Sequence, residues 1–173
     1  MNKQLSHTES NQAQRKFPLT LVADGLQSPA NVGSLFRVCE AFGIEKIYFC
    51  NSLINFDSPR LKKTARNTQT NVPFSIETNT LDKVKELKKK GYTIVSLEIT
   101  NSSQSIELLE TIATYKIALI VGNEQEGVSK DVLKFSDICT HIQMFGINSS
   151  MNVVQASSIA LNTIINKFYT SKK

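Results

Sequence analysis

The 173-residue chain is long enough for one domain that buries most of its apolar surface unaided, and its 40% hydrophobic and 20% charged residues are an ordinary globular mixture. A formal net charge of +5 favours a polyanionic partner such as nucleic acid, without requiring one. Cysteines at 39, 50 and 139 have no close pairing and no neighbouring histidine, which argues against a zinc cluster or a disulfide framework. Residues 1–16 lack the apolar stretch of a signal peptide, and no apolar run approaches the roughly 20 residues that span a bilayer, so no membrane association and a cytoplasmic location are expected.

Residues 1–16 are polar and read as a flexible arm ahead of a domain over 17–170. Residues 19–23 are a short apolar run after Pro18, suited to a buried strand. Asp24-Gly25 turns the chain and Ser28-Pro29 supplies a helix start. Over 31–42, Val32, Leu35, Phe36, Cys39 and Phe42 recur at the spacing of one helical face, with Gly43 as the stop. A second strand follows at 46–50. Residues 51–71 lack periodicity and read as a basic loop, with room for one short helix, carrying Arg60, Lys62, Lys63 and Arg66. A charged helix at 81–90 ends at Gly91, its lysines forming a solvent face partly balanced by Asp82 and Glu86.

The pattern continues with a strand at 92–97, a short helix at 106–112 and an apolar strand at 117–121. A weak helix at 128–135, a strand at 138–142 and a long final helix at 151–168 complete it. Strands alternating with helices predict an α/β domain with a mainly parallel sheet flanked by helices. Ligands of such sheets bind in loops beyond the carboxyl ends of the strands.

Three segments occupy such loops or open the next helix, and each alone admits two readings. Residues 28–37 place Arg37 roughly opposite the apolar helical stripe. That suits a solvated arginine, or one aimed at a phosphate or a developing oxyanion with Asn31 beside it. Residues 121–129 put Gly122 and Gly127 around Glu124 after an apolar strand: a plain loop, or one that lets backbone approach a ligand. It is neither a Walker loop nor the Rossmann glycine fingerprint. In residues 142–156, Ser150 is explained as a helix cap. The concentration of Ile142, Met144, Phe145 and Ile147 is better explained by an adenine pocket.

The order and content of these segments resemble the SpoU (TrmH-like) family of the SPOUT superfamily, over about residues 18–168. The family's Asn and Arg six apart are matched by Asn31 and Arg37. Its Gly-x-Glu-x-x-Gly is matched by Gly122, Glu124 and Gly127. Its Ile-Pro-Met-x-Gly followed by Ser-Leu-Asn-Val is matched by Ile142, Met144, Gly146, Ser150, Asn152 and Val153. Gln143 and Met151 replace the usual proline and leucine, and Asn148 stands where relatives often carry an acidic residue.

The resemblance implies a SPOUT-type fold with a C-terminal trefoil knot, a homodimer, and methylation of a ribose 2′-hydroxyl in tRNA or rRNA with S-adenosyl-L-methionine (AdoMet). It further implies a cofactor held by Gly122, Glu124, Gly127, Ile142, Met144 and Met151, and catalysis by Arg37 with Asn31, Ser150 and Asn152. Arg60, Lys62, Lys63 and Arg66 are then candidates for RNA phosphates, with the N-terminal arm and Lys172-Lys173 as further candidates. A non-catalytic RNA-binding protein of the same fold and a base-directed methyltransferase are the alternatives.

Overall fold

The computed structural model describes residues 3–4, 14–109, 112 and 114–170. Most of the expected N-terminal arm, and Lys172-Lys173, lie outside the described residues. Strands β1 (Phe17–Asp24), β2 (Ile44–Cys50), β3 (Phe74–Glu77), β4 (Thr93–Leu97), β5 (Gln104–Ser105), β6 (Ile117–Val121) and β7 (Ile138–His141) form one sheet. Their order is β3-β2-β1-β6-β4-β7-β5, and every pairing is parallel. Helices α1 (Pro29–Ala41), α2 (Pro59–Ala65), α3 (Thr80–Lys89), α4 (Lys130–Phe135) and α5 (Val153–Ile165) complete the α/β domain expected from the alternation.

The central strands are apolar on both faces because each face has its own cover. Leu19, Leu21 and Ala23 of β1 point into one core with Leu119, Val121, the α1 residues Val32, Leu35, Phe36 and Cys39, and the α5 residues Leu161 and Ile164. The alternate residues Val22, Ala118, Ile120 and Ile94 pack on the other face against Val84 and Leu87 of α3 and Val132 of α4. Burial pushes the Cys39 thiol up and raises Cys50 to about 12. Both thiols are therefore protonated packing groups at neutral pH.

Helix α1 begins as its sequence suggests, with Ser28 Oγ accepting from the Asn31 N–H at 3.3 Å and Pro29 in the first turn. Its Gly33 faces α2 so closely that a β-carbon would come within 2.0 Å of Thr64 Oγ1 and 2.5 Å of the Leu61 carbonyl oxygen. Residues 51–71 hold α2 and a 3-10 turn (Thr68–Thr70), so the basic segment is more ordered than a loop.

Two short strands escaped the sequence reading, and three expectations need correction. Strand β3 was not legible because it is four residues long and lies at the sheet edge after Pro73; β5 is two residues long. Of the helix expected at 106–112, the described residues hold a single 3-10 turn, Ile106–Leu108, and residues 110 and 111 lie outside the described residues. Ile106 and Leu109 are both buried at a three-residue spacing that imitates a helical face. The final helix begins at Val153 rather than 151, and gives way after Ile165 to a π-type turn, Asn166–Thr170, that buries Tyr169. Lys83 is not part of a simple solvent face, since its ammonium is held between Glu77 and Glu86 at 3.2 and 2.6 Å with only 11% of its side chain exposed.

Asp24, at the carboxyl end of β1, ties the ends of several elements together. It is 3% exposed and accepts from Thr80 Oγ1 and from Asn51 Nδ2 at 3.3 Å. Its second oxygen accepts from the Ser129 N–H at 3.0 Å, where α4 begins. The carboxyl edge of the sheet, from which the three sequence segments project, is thereby braced from below.

Candidate active site

The loop after β6 folds back on itself. Asn123 and Gly127 exchange backbone hydrogen bonds at 3.2 Å, and Asn123 Oδ1 accepts from the N–H groups of Gln125 and Glu126 at 2.8 and 2.7 Å. Both glycines are demanded by this closure. A β-carbon on Gly122 would meet the Gly127 carbonyl carbon at 1.9 Å, while Gly127 has φ of +69° and its β-carbon would lie 2.1 Å from Glu98 Oε2. The glycines thus shape the loop itself, a role additional to the ligand approach suggested by their spacing.

This loop, the end of β4 and the segment after β7 enclose a cavity of about 670 Å³. The expected cofactor residues Gly122, Glu124, Gly127, Ile142, Met144 and Met151 all line it, as do Ser150 and Asn152. Phe145 and Ile147 do not line it: they are 95% and 105% exposed, so the apolar wall is narrower than the sequence suggested. Asn152, rather than Ser150, caps α5, its Oδ1 accepting from the Val154 N–H at 2.8 Å. An amide oxygen one residue before the helix outcompetes a hydroxyl two residues further back.

Asn31 joins the three segments. Its Nδ2 donates to Glu124 Oε1 at 2.7 Å, and its Oδ1 accepts from Asn152 Nδ2 at 3.2 Å. One amide from the start of α1 therefore holds the glycine loop and the start of α5 at the same rim.

Arg37 lies elsewhere within the chain. It is exposed, as its helical position requires, and lines a second hollow of about 770 Å³ with Arg66, Ser34, Glu40 and Val154. The first turn of α5 contributes to both, with Val153 lining the cavity and Val154 the second hollow. Arg66 owes its place to a left-handed backbone (φ 50°) at the end of α2, followed by Asn67 at φ 67°. Arg60 and Lys63 are exposed on α2 away from both hollows, and Lys62 is paired with Asp57 at 3.0 Å. The four basic residues grouped by sequence are thus divided by structure.

Sequence reasoning missed Glu98, His141 and Asn123, all of which line the cavity. Glu98 directly follows β4, His141 ends β7 and Asn123 lies two residues past β6, all at the carboxyl edge of the sheet. His141 Nδ1 lies 2.9 Å from Ser103 Oγ. The same hydroxyl lies 3.1 Å from the Thr100 carbonyl oxygen, so the ring is tethered to the loop after β4. The cavity lining includes Glu98, Glu124 and Glu126 but no lysine or arginine, an acidic hollow in a basic chain.

Among the described residues no cluster fit to hold a metal ion occurs, and no helix is long and apolar enough to cross a membrane.

Known proteins fit this geometry. The chain is 28% identical over 155 residues to a Staphylococcus saprophyticus protein assigned to the TrmH family of tRNA/rRNA methyltransferases, covering 90% of this chain and 61% of that one. It therefore spans about three-fifths of the length of that relative. A tRNA (guanosine(18)-2′-O)-methyltransferase of Aquifex aeolicus is 27% identical, covering 93% of this chain and 75% of its own length. The crystal structure of the SpoU methyltransferase AviRb from Streptomyces viridochromogenes, in complex with AdoMet, superposes with a TM-score of 0.78 at 20% identity. That match covers 91% of this chain and 63% of AviRb and shows that the fold is of SPOUT type. The SpoU rRNA Methylase family model matches residues 18–162, from the first strand to within the last helix, and the chain belongs to that family.

Proposed function

We propose that this chain methylates a ribose 2′-hydroxyl of tRNA or rRNA with AdoMet. The observation that carries the reading is the Asn31 amide bonded to both Glu124 and Asn152, because it gathers the three family motifs at the rim of one cavity. The relatives named as guanosine 2′-O-methyltransferases, and the AdoMet-bound AviRb structure, support the same reading.

The residues present fit AdoMet. Ile142 and Met144 offer an apolar wall for adenine, while the acidic lining suits a ligand carrying ammonium and sulfonium charges and disfavours a nucleotide polyphosphate. In this proposal Gly122, Ile142 and Met151 contact the cofactor through their backbones, and Glu124, Gly127 and Ser150 support the loops. When bound, AdoMet supplies an activated methyl group, which leaves the protein to align the 2′-oxygen and assist loss of its proton.

Arginine is a poor ordinary base, so Arg37 acts electrostatically, orienting an RNA phosphate and stabilising the forming alkoxide, with a phosphate oxygen receiving the proton. Val153 lines the cavity and Val154 the hollow of Arg37, which supports an RNA strand lying over the first turn of α5 and reaching both. Asn31, Ser150 and Asn152 hold the ribose at the rim. Arg66 beside Arg37, and Arg60, Lys62 and Lys63 on α2, bind phosphates.

A homodimer, a C-terminal trefoil knot and a cytoplasmic location belong to the same proposal. The partly exposed Val38, Val154 and Ile159 on α1 and α5 support a subunit contact. The return of the chain from β7 past the glycine loop to pack α5 near α1 supports the knot.

Calorimetry with AdoMet is the first test, and micromolar binding is expected. Absence of binding would favour a non-catalytic RNA-binding protein of the same fold.

A further inference from the structure

We propose that Glu98 is a cofactor-binding residue whose carboxylate accepts hydrogen bonds from the two ribose hydroxyls of AdoMet, an inference that rests on the cofactor reading above.

Glu98 directly follows β4, and its backbone N–H still donates to the Thr140 carbonyl of β7 at 2.8 Å. The side chain therefore starts from a fixed point between β6 and β7 at the sheet's carboxyl edge. Oε2 accepts from the Val128 N–H and Oε1 from the Ile99 N–H, both at 3.0 Å. A carboxylate offers about four lone-pair sites, so roughly two remain after these bonds. Glu98 is half-buried, lines the cavity and has no cationic partner among the described residues. A carboxylate in that state is best satisfied by neutral donors or a cation supplied by the ligand.

The order of the strands selects the donors. The cavity runs over β6, β4 and β7, which are neighbours in that order. Glu124 follows β6 and, bonded to Asn31, marks the rim where the methyl acceptor is held. Ile142 and Met144 follow β7 and form the apolar wall suited to adenine. In AdoMet the ribose lies covalently between the sulfonium and the adenine. The residue over the middle strand therefore faces the ribose, whose vicinal hydroxyls are a donor pair matched to one carboxylate. Gly127 adds to the fit, because any side chain there would collide with Glu98 Oε2, so the carboxylate occupies space that only glycine leaves.

The test is calorimetric titration of the whole chain and its Glu98→Gln variant with S-adenosylhomocysteine and its 2′-deoxy and 3′-deoxy analogues. The wild type is expected to lose roughly tenfold or more in affinity for each deoxy analogue, as for a charge-assisted hydrogen bond. The variant is expected to bind the parent ligand more weakly and to lose much less on removal of either hydroxyl. Such non-additivity is not produced by mere disturbance of the glycine loop. Equal wild-type affinity for parent and deoxy ligands would overturn the proposal even if the variant failed to fold. So would an undiminished deoxy penalty in the variant, or an effect confined to an analogue lacking the amino group. If the wild type bound neither AdoMet nor S-adenosylhomocysteine, the cofactor reading itself would fall, an outcome distinct from these.

Discussion

Asn31 donates its side-chain amide to Glu124 at 2.7 Å across 93 residues of sequence, and the same amide's oxygen accepts from Asn152. One exposed rim contact thus couples the start of α1 to the glycine loop and to the cap of α5. Asn31→Ala removes both bonds, one of them to a charged group. We expect kcat/KM for RNA methylation to fall roughly 10- to 100-fold, with little change in thermal midpoint because the rim is solvated. Asn31→Asp is expected to be worse, since it sets a second carboxylate against Glu124. Steady-state kinetics and thermal denaturation of the two variants check this pair of outcomes.

Arg37 sits in the neighbouring hollow rather than in the cavity. Arg37→Ala is therefore expected to bind S-adenosylhomocysteine within about twofold of wild type, since no contact to the cavity is removed. Methyl transfer is expected to drop by roughly 100-fold or more, the scale of losing one group that stabilises developing negative charge. Arg37→Lys restores little, because an ammonium does not reproduce the planar guanidinium fork. Near-wild-type turnover by Arg37→Ala would remove the residue from the mechanism.

Gly33 permits the close crossing of α1 over α2. Gly33→Ala drives a methyl group into the Leu61 carbonyl oxygen and Thr64, and backbone cannot yield as a flexible side chain does. Overpacking of this kind costs about 1–3 kcal/mol. For a chain of this size that lowers the melting temperature by roughly 2–12 °C, a shift easily resolved by circular dichroism. An unchanged melting temperature would mean that the helices separate freely.

The sheet and its covering helices were legible in the sequence because their periodicities are long. Residues 117–121 are a strand with those very bounds, and the face of Val32, Leu35, Phe36 and Cys39 is buried as read. Strand β3 was not legible, since four residues at an edge carry too little pattern, and Ile106 with Leu109 imitated a helix where the described residues hold one 3-10 turn. At the site, Gly122, Glu124, Ile142 and Met151 were found by motif and meet at one cavity. Glu98 and His141 were not found, because a lone acid or histidine after a strand has no local signature. Their significance appears only when β4 is placed between β6 and β7. That Arg37 lines a hollow other than the cavity likewise depends on how α5 packs near α1.

Acid stability should carry a small contribution from Glu86. Hydrogen bonds from Lys83 first, and then Lys90, hold its carboxyl at about 2 in the folded chain, below its ordinary 4.5. A depressed folded value means that the stabilisation is present above about 4.5 and is lost as pH falls toward 2. Glu86→Gln should therefore flatten the fall in stability across that window and leave the profile above pH 6 unchanged in shape. The group is well exposed, so solvent screening keeps the effect modest. Chemical denaturation at a series of pH values reads it.

Transfer of a methyl group to ribose is read from the chemistry of the product. The purified chain is incubated with isotopically labelled AdoMet and total RNA from a strain lacking it, and the RNA is digested to nucleosides and resolved by mass spectrometry. Label is expected on the ribose of a 2′-O-methylnucleoside, reduced roughly 100-fold or more when Arg37→Ala replaces the wild type. Label on a base, or no transfer to any RNA by a chain that binds AdoMet, would contradict it.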